Sequence, residues 1–241
     1  MSSDEDDSAE ENTRSLHPVE LTDLSSAVAR QAVTIYQEAF PKEERDPLDT
    51  IAAALRHRVK PTEIMHWWAF VEGGQVVGIA LFNSYRHERM GYLQYIAVRR
   101  GIRGHGYGGQ FLAMILDQLQ EDARKFNGQP SQGLCLEVER PDRAPTLEER
   151  SMRLARIRFY LRNGAHAVPR MDFLTPPLTP GQRPVPYHLM FLPIPGASWS
   201  PSPARLTHMV EAALLHGYGL RRSNFYFQRA LNQVRLLAAA G

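Results

Sequence analysis

From Tyr92 to Gln120 the chain reads YLQYIAVRRGIRGHGYGGQFLAMILDQLQ: an apolar run, then three arginines and five glycines, then helical spacing. Glycine adopts backbone conformations closed to other residues, so successive amides can turn toward one point. A helix N-terminus directly behind adds unpaired N–H groups and positive dipole. With Arg103 as added charge, the run Arg103-Gly104-His105-Gly106-Tyr107-Gly108-Gly109 reads as a cradle for a pyrophosphate. Gly104-x-Gly106-x-x-Gly109 formally matches the dinucleotide fingerprint, but that motif needs its first glycine directly after a strand. Here five residues separate Val98 from Gly104. No Gly-Lys-Ser/Thr follows, which removes a P-loop as well.

A second set of reactive side chains lies in GLCLEVER, Gly133 to Arg140. Side chains alternate along a strand, so Glu137 and Glu139 share one face, while Leu134, Leu136 and Val138 take the other. Both are candidate general bases, and both could instead pair with Arg140, Arg153 or Arg156; for Glu137 the two readings stand even, and for Glu139 the ion pair is favoured. Cys135 reads as a small core residue rather than a nucleophile. The nine histidines show no metal-ligand spacing, so no metal is expected.

The elements that must position these groups follow from pattern. HPVELTD suggests a first strand, and SSAVARQAVTIYQEAF a Ser-capped helix with Val28, Ala32, Ile35, Tyr36 and Phe40 on one face. LDTIAAALRHRV is a second helix. HWWAFVEGGQVVGIALFNSY reads as a hairpin turning at Glu72-Gly73-Gly74-Gln75, and RMGYLQYIAV is its next neighbour. The helix after the glycine loop carries Phe111, Leu112, Ile115, Leu116 and Leu119 at helical spacing. TLEERSMRLARIRFYLRNGA is a helix opened by the Thr146/Glu149 capping pattern and closed by Gly164. MDFLTP and PYHLMFLPI form a last strand pair, and two helices follow Pro195. The order implies an α/β chain with a mixed sheet and helices on its faces.

The 241 residues, 43% hydrophobic and 22% charged, carry ample core material. One cysteine precludes an internal disulfide, and no apolar run nears the roughly 18 residues of a membrane span. The expectation is a cytoplasmic protein with no membrane partner. Residues 1–15 hold six acids against Arg14; removing that −5 from the total of +2 leaves +7 on the remainder. Residues 1–16 read as a disordered acidic tail. The diffuse basicity of the body favours an anionic ligand but does not argue for nucleic acid.

Taken together, the motifs resemble the GNAT superfamily of acyl-CoA-dependent N-acyltransferases. Ile96-Ala97-Val98 precedes the Arg103–Gly108 loop as the family's strand does, and Phe159-Tyr160-Leu161-Arg162-Asn163-Gly164-Ala165 matches its aromatic-Tyr-x-x-x-Gly element, with Ala165 where an aromatic is usual. The resemblance covers roughly residues 17–195, leaving 196–241 as a C-terminal helical extension that would cover the site, form a homodimer interface or dock another protein. It implies a mostly antiparallel central sheet flanked by helices and acetyl-CoA as co-substrate. Ile96, Ala97 and Val98 would run along the pantetheine arm, the amides from Arg103 to Gly109 would hold the pyrophosphate, and Tyr160 would protonate the leaving thiolate. The position seven residues before that tyrosine, often Asn in the family, is Arg153 here. FPKEER, Phe40 to Arg45, falls where the superfamily lines its acceptor pocket, or is a solvated turn. Trp67, Trp68, Tyr92 and Tyr95 read as strand packing rather than a substrate cage.

Acyl transfer to an alkylamine needs a neutral nucleophile. A lysine-like amine of pKa about 10.4 costs roughly 4.6 kcal/mol to deprotonate at pH 7, so a base is expected for an alkylamine and not for an arylamine. The two functional classes that follow are an N-acetyltransferase working by direct attack, with Tyr160 and Glu137 as acid and base, and a non-catalytic acyl-CoA-binding module.

Overall fold

The computed structural model describes residues 15–126, 128–177, 181 and 183–239. The expected acidic tail falls almost wholly outside them. Nine strands and six α-helices occur in the order β1 (His17–Glu20), α1 (Ala27–Ala39), α2 (Leu48–Leu55), β2 (Val59–Lys60), β3 (Glu63–Glu72), β4 (Gln75–Tyr85), β5 (Met90–Val98), α3 (Tyr107–Lys125), β6 (Gly133–Glu139), α4 (Leu147–Arg162), β7 (His166–Ala167), β8 (Phe173–Thr175), β9 (Val185–Pro193), α5 (Pro203–Val210) and α6 (Phe225–Ala239) among the described residues. The strand order is β1-β3-β4-β5-β6-β9-β7, with β2 on β3 and β8 on β9. The mixed α/β fold expected from the sequence is the one observed.

The chain divides into two compact units. In the first, comprising 15–60, 65–82 and 95–115, β1 pairs antiparallel with β3 from His17↔Val71 to Glu20↔Trp68. Ser26 caps α1 by accepting the Ala29 amide, and the helix buries Ala29, Ala32, Ile35 and Tyr36; Val28 and Phe40 are only partly covered. These pack with Ile51 and Leu55 of α2 and with Trp67, Ala69, Ile79, Tyr95 and Ala97. Gly73 and Gly74, at φ +56° and +76°, make the tight hairpin turn expected at that dipeptide. Phe111 of α3 stacks on Phe70, ring centroids 3.8 Å apart.

In the second unit, comprising 61–64, 83–94 and 116 onward, β5 pairs parallel with β6 from Gly91↔Leu134 to Leu93↔Leu136. A parallel pair needs a crossover, which α3 supplies. β6 then pairs antiparallel with β9 along its whole length. The C-terminal helices are built into this unit's core. Leu206, Met209 and Val210 of α5, Ala212 to Leu214 of the following π-helical turn, and Phe227, Ala230 and Val234 of α6 are buried with Tyr92, Cys135, Phe173, Leu189 and Phe191. Thr146 accepts the Glu149 amide to start α4, as the capping pattern anticipates, and Gly164 at φ +88° ends it.

Candidate active site

In the first unit, β5 delivers the glycine loop. Ala97 is buried beside Tyr95, while Ile96 and Val98 alternate with them and stay partly exposed. Gly104 and Gly106 stand at φ +88° and +85°, in the left-handed region that disfavours any side chain. Nothing lies within 4 Å of where a Cβ would stand at either one, so the loop faces open space. α3 begins at Tyr107, whose hydroxyl donates to Glu72 Oε2 at 2.5 Å. Gly108 and Gly109 belong to the helix's first turn, and the amides of Gly109 and Gln110 already donate to the Gly106 carbonyl. The Gly109 amide is therefore engaged within the loop. Arg103 folds back so that Nε donates to the Val98 carbonyl, and His105 Nδ1 meets the Ile102 carbonyl, leaving both side chains exposed at the rim.

In the second unit, the two acids of β6 part company. Glu139 is buried and bound by Arg153 Nη2 at 3.3 Å and Arg156 Nη1 at 2.5 Å. Arg153 also donates to Glu149 and to the Arg140 carbonyl. It is thus a buried structural residue of α4, and its guanidinium is committed to the acids around it. Glu137 receives two tyrosine hydroxyls instead: Tyr92 donates to Oε1 at 3.0 Å and Tyr218 to Oε2 at 3.1 Å. Burial raises its carboxyl from 4.5 to about 7, against the opposing pull of the two hydroxyls. A carboxyl poised there is half ionised near neutrality, as a general base requires. Burial and the adjacent carboxylate push both tyrosines well above their ordinary value, so they remain donors.

Tyr160 is buried in α4, and desolvation lifts its hydroxyl to about 12, with Arg156 acting the other way. It is therefore protonated at neutral pH. Cys135 is wholly buried, with Sγ toward the Met209 carbonyl and its thiol pushed well up by burial, which suits a core residue and not a nucleophile.

Other sequence candidates are absorbed by packing. Arg45 donates to the carbonyls of Gln37 and Phe40, closing the end of α1. Trp67 and Trp68 are buried, and Trp68 Nε1 donates to Glu20. Tyr92 packs in the core as expected, and its hydroxyl is in addition held on Glu137. Tyr218, whose hydroxyl donates to Glu137, was not singled out from sequence. The available signal for Tyr218 was its setting, Gly217-Tyr218-Gly219, at a helix end. Among the described residues, no group of three or more His, Cys, Asp or Glu forms a metal cluster, and no helix is long and apolar enough to cross a membrane.

Residues 29–131 match the model of the acetyltransferase (GNAT) family. This stretch is similar to a GNAT acetyltransferase domain. Such a domain belongs to the acyl-CoA N-acyltransferases, and the match spans the β5 strand and the glycine loop that the sequence resemblance rested on. Among solved structures, a GNAT-family acetyltransferase from Bacteroides thetaiotaomicron shares the fold, with 21% identity and a TM-score of 0.60 over 86% of this chain and 99% of that one. The ribosomal-protein-S18-alanine N-acetyltransferase of Escherichia coli is also similar (19% identity, TM-score 0.48, 77% and 97% covered). So is the catalytic domain of Tetrahymena GCN5 histone acetyltransferase in complex with coenzyme A (16% identity, TM-score 0.45, 76% and 95% covered). No curated protein sequence matches the chain.

Proposed function

We propose that this protein is an acetyl-CoA-dependent N-acetyltransferase whose acceptor is an alkylamine and whose general base is Glu137. The observation that carries the reading is the Glu137 carboxyl: half-buried, bonded by two tyrosine hydroxyls and not by the arginines that hold Glu139, and pushed by desolvation to about 7. An arylamine acceptor would need no such base, whereas an ammonium of pKa about 10.4 does.

The donor binds through the first unit. The open side of Gly104 and Gly106, the Tyr107 and Gly108 amides that open α3 and the Arg103 guanidinium receive the pyrophosphate, and the partly exposed Ile96 and Val98 flank the pantetheine arm. Glu137 takes a proton from the acceptor ammonium. The free amine nitrogen attacks the thioester carbonyl carbon, forming the C–N bond, and the C–S bond breaks. Tyr160 donates a hydrogen bond to the departing sulfur, the thiolate takes up the proton that the new amide nitrogen releases, and the products are an acetamide and coenzyme A. Full transfer from a hydroxyl near 12 to a thiolate of pKa about 8.5 is uphill by roughly 5 kcal/mol, so Tyr160 acts as a hydrogen-bond donor.

The test is incubation of the full chain with labelled acetyl-CoA and a panel of amines: polyamines, amino acids, lysine peptides and aniline derivatives. The expected result is transfer to alkylamines, abolished in Glu137→Gln. Tight acetyl-CoA binding with no transfer to any amine would instead make the protein an acyl-CoA-binding module.

A further inference from the structure

The two hydroxyls on Glu137 come from different parts of the chain. Tyr92 lies on β5, within the family match; Tyr218 lies beyond it, directly after the π-helical turn Glu211–Gly217. π-Helical turns are uncommon and concentrate at functional sites. This one ends on Gly217, where an added Cβ would sit 2.3 Å from the Tyr92 ring. Only glycine allows the turn to press on Tyr92 so closely, and the next residue then swings its own hydroxyl onto the same carboxylate. Thr175, buried on β8, lies beside Tyr218. Each Glu137 oxygen thus has its own donor.

We infer that Tyr218 is a positioning residue for acyl transfer: the C-terminal segment clamps the Glu137 carboxylate through Tyr218, fixing its orientation and favouring its ionised form. This rests on the reading of Glu137 as base. The titratable groups facing the carboxylate are Tyr92 from β5, Tyr218 from the C-terminal segment and Cys135 from β6, with Tyr187 of β9 beside Tyr218. The thiol and the two bound hydroxyls are all pushed upward, so none carries charge near neutrality. Hydroxyl donors stabilise the carboxylate over the acid, so removing one raises the pH at which Glu137 loses its proton.

The experiment is carboxyl 13C NMR titration of glutamate-labelled full chain, wild type and Tyr218→Phe, alongside pH profiles of kcat/KM for an alkylamine. The expected result is a rise in the Glu137 midpoint of about one pH unit, the scale of one hydrogen bond to a charged group. The acid limb of kcat/KM should move by the same amount, with activity recovering at alkaline pH. An unchanged midpoint in folded Tyr218→Phe overturns the proposal. A midpoint that moves while the acid limb stays overturns the base role of Glu137, and with it a catalytic purpose for the clamp. Thr175→Val, which leaves Tyr218 in place, provides a second variant with a smaller upward shift expected; no shift in it or in Tyr218→Phe counts against the clamp.

Discussion

The two units each hold a carboxylate against tyrosines, and they use the arrangement differently. In the first, Tyr95 donates to Asp46 Oδ2 at 3.1 Å while the Asp46 amide donates back to the Tyr95 oxygen, and Tyr36 donates to the Asp46 carbonyl. Most of these bonds involve backbone, so the cluster fastens the loop before α2. In the second, both tyrosines bond the side-chain oxygens of Glu137, and its backbone is occupied by the ladder to β9. Burial raises both carboxyls. What separates a turn staple from a candidate base is whether the hydroxyls engage the main chain or the carboxylate.

The sharpest way to break that comparison is to neutralise each acid. Glu137→Gln should lower kcat/KM toward an alkylamine by about 10²–10⁴-fold, the range for a lost general base. Asp46→Asn should act chiefly on stability, by about 1–3 kcal/mol, measured by denaturant unfolding. Equal kinetic losses in both would erase the distinction.

Stability against pH offers a second probe. Because burial raises the folded Glu137 carboxyl from 4.5 to about 7, the acid form is favoured by folding. The associated stability is complete below about 4.5 and is lost as pH rises through about 7, amounting to about 3 kcal/mol at most. Glu137→Gln should therefore gain on the wild type in melting temperature between those pH values. A constant gap would show that Glu137 is not held as described.

Tyr160→Phe should bind acetyl-CoA normally and lose about 10²-fold in turnover, the low end for a missing acid, as single-turnover rates would show. The smallest effect is expected at the loop. Gly106→Ala forces a side chain into φ +85° with no clash, so the cost is backbone strain alone, about 1 kcal/mol. Calorimetry should report it as roughly fivefold weaker acetyl-CoA binding.

Much of the fold was legible because its signals are local. The Gly73-Gly74 turn, the Thr146 cap, the Gly164 stop and the apolar stripe of α1 each act within a few residues, and each occurs where expected. The α3 helix and the glycine loop were legible for the same reason, since φ preferences are set residue by residue. The standing of Glu137 was not. It shares a strand face with Glu139; the sequence favoured an ion pair for Glu139 and left Glu137 even between base and ion pair, and α4 brings Arg153 and Arg156 to Glu139.

The sequence by itself determined a glycine-rich loop at a strand-to-helix junction, since backbone freedom is written in residue type. Only the tertiary structure decided which carboxylate the arginines hold and which the tyrosines hold. Tyr92 and Tyr218 stand 45 and 81 residues from Glu137 along the chain. Their approach depends on sheet register and on the packing of the C-terminal helices into the core, which no local preference encodes.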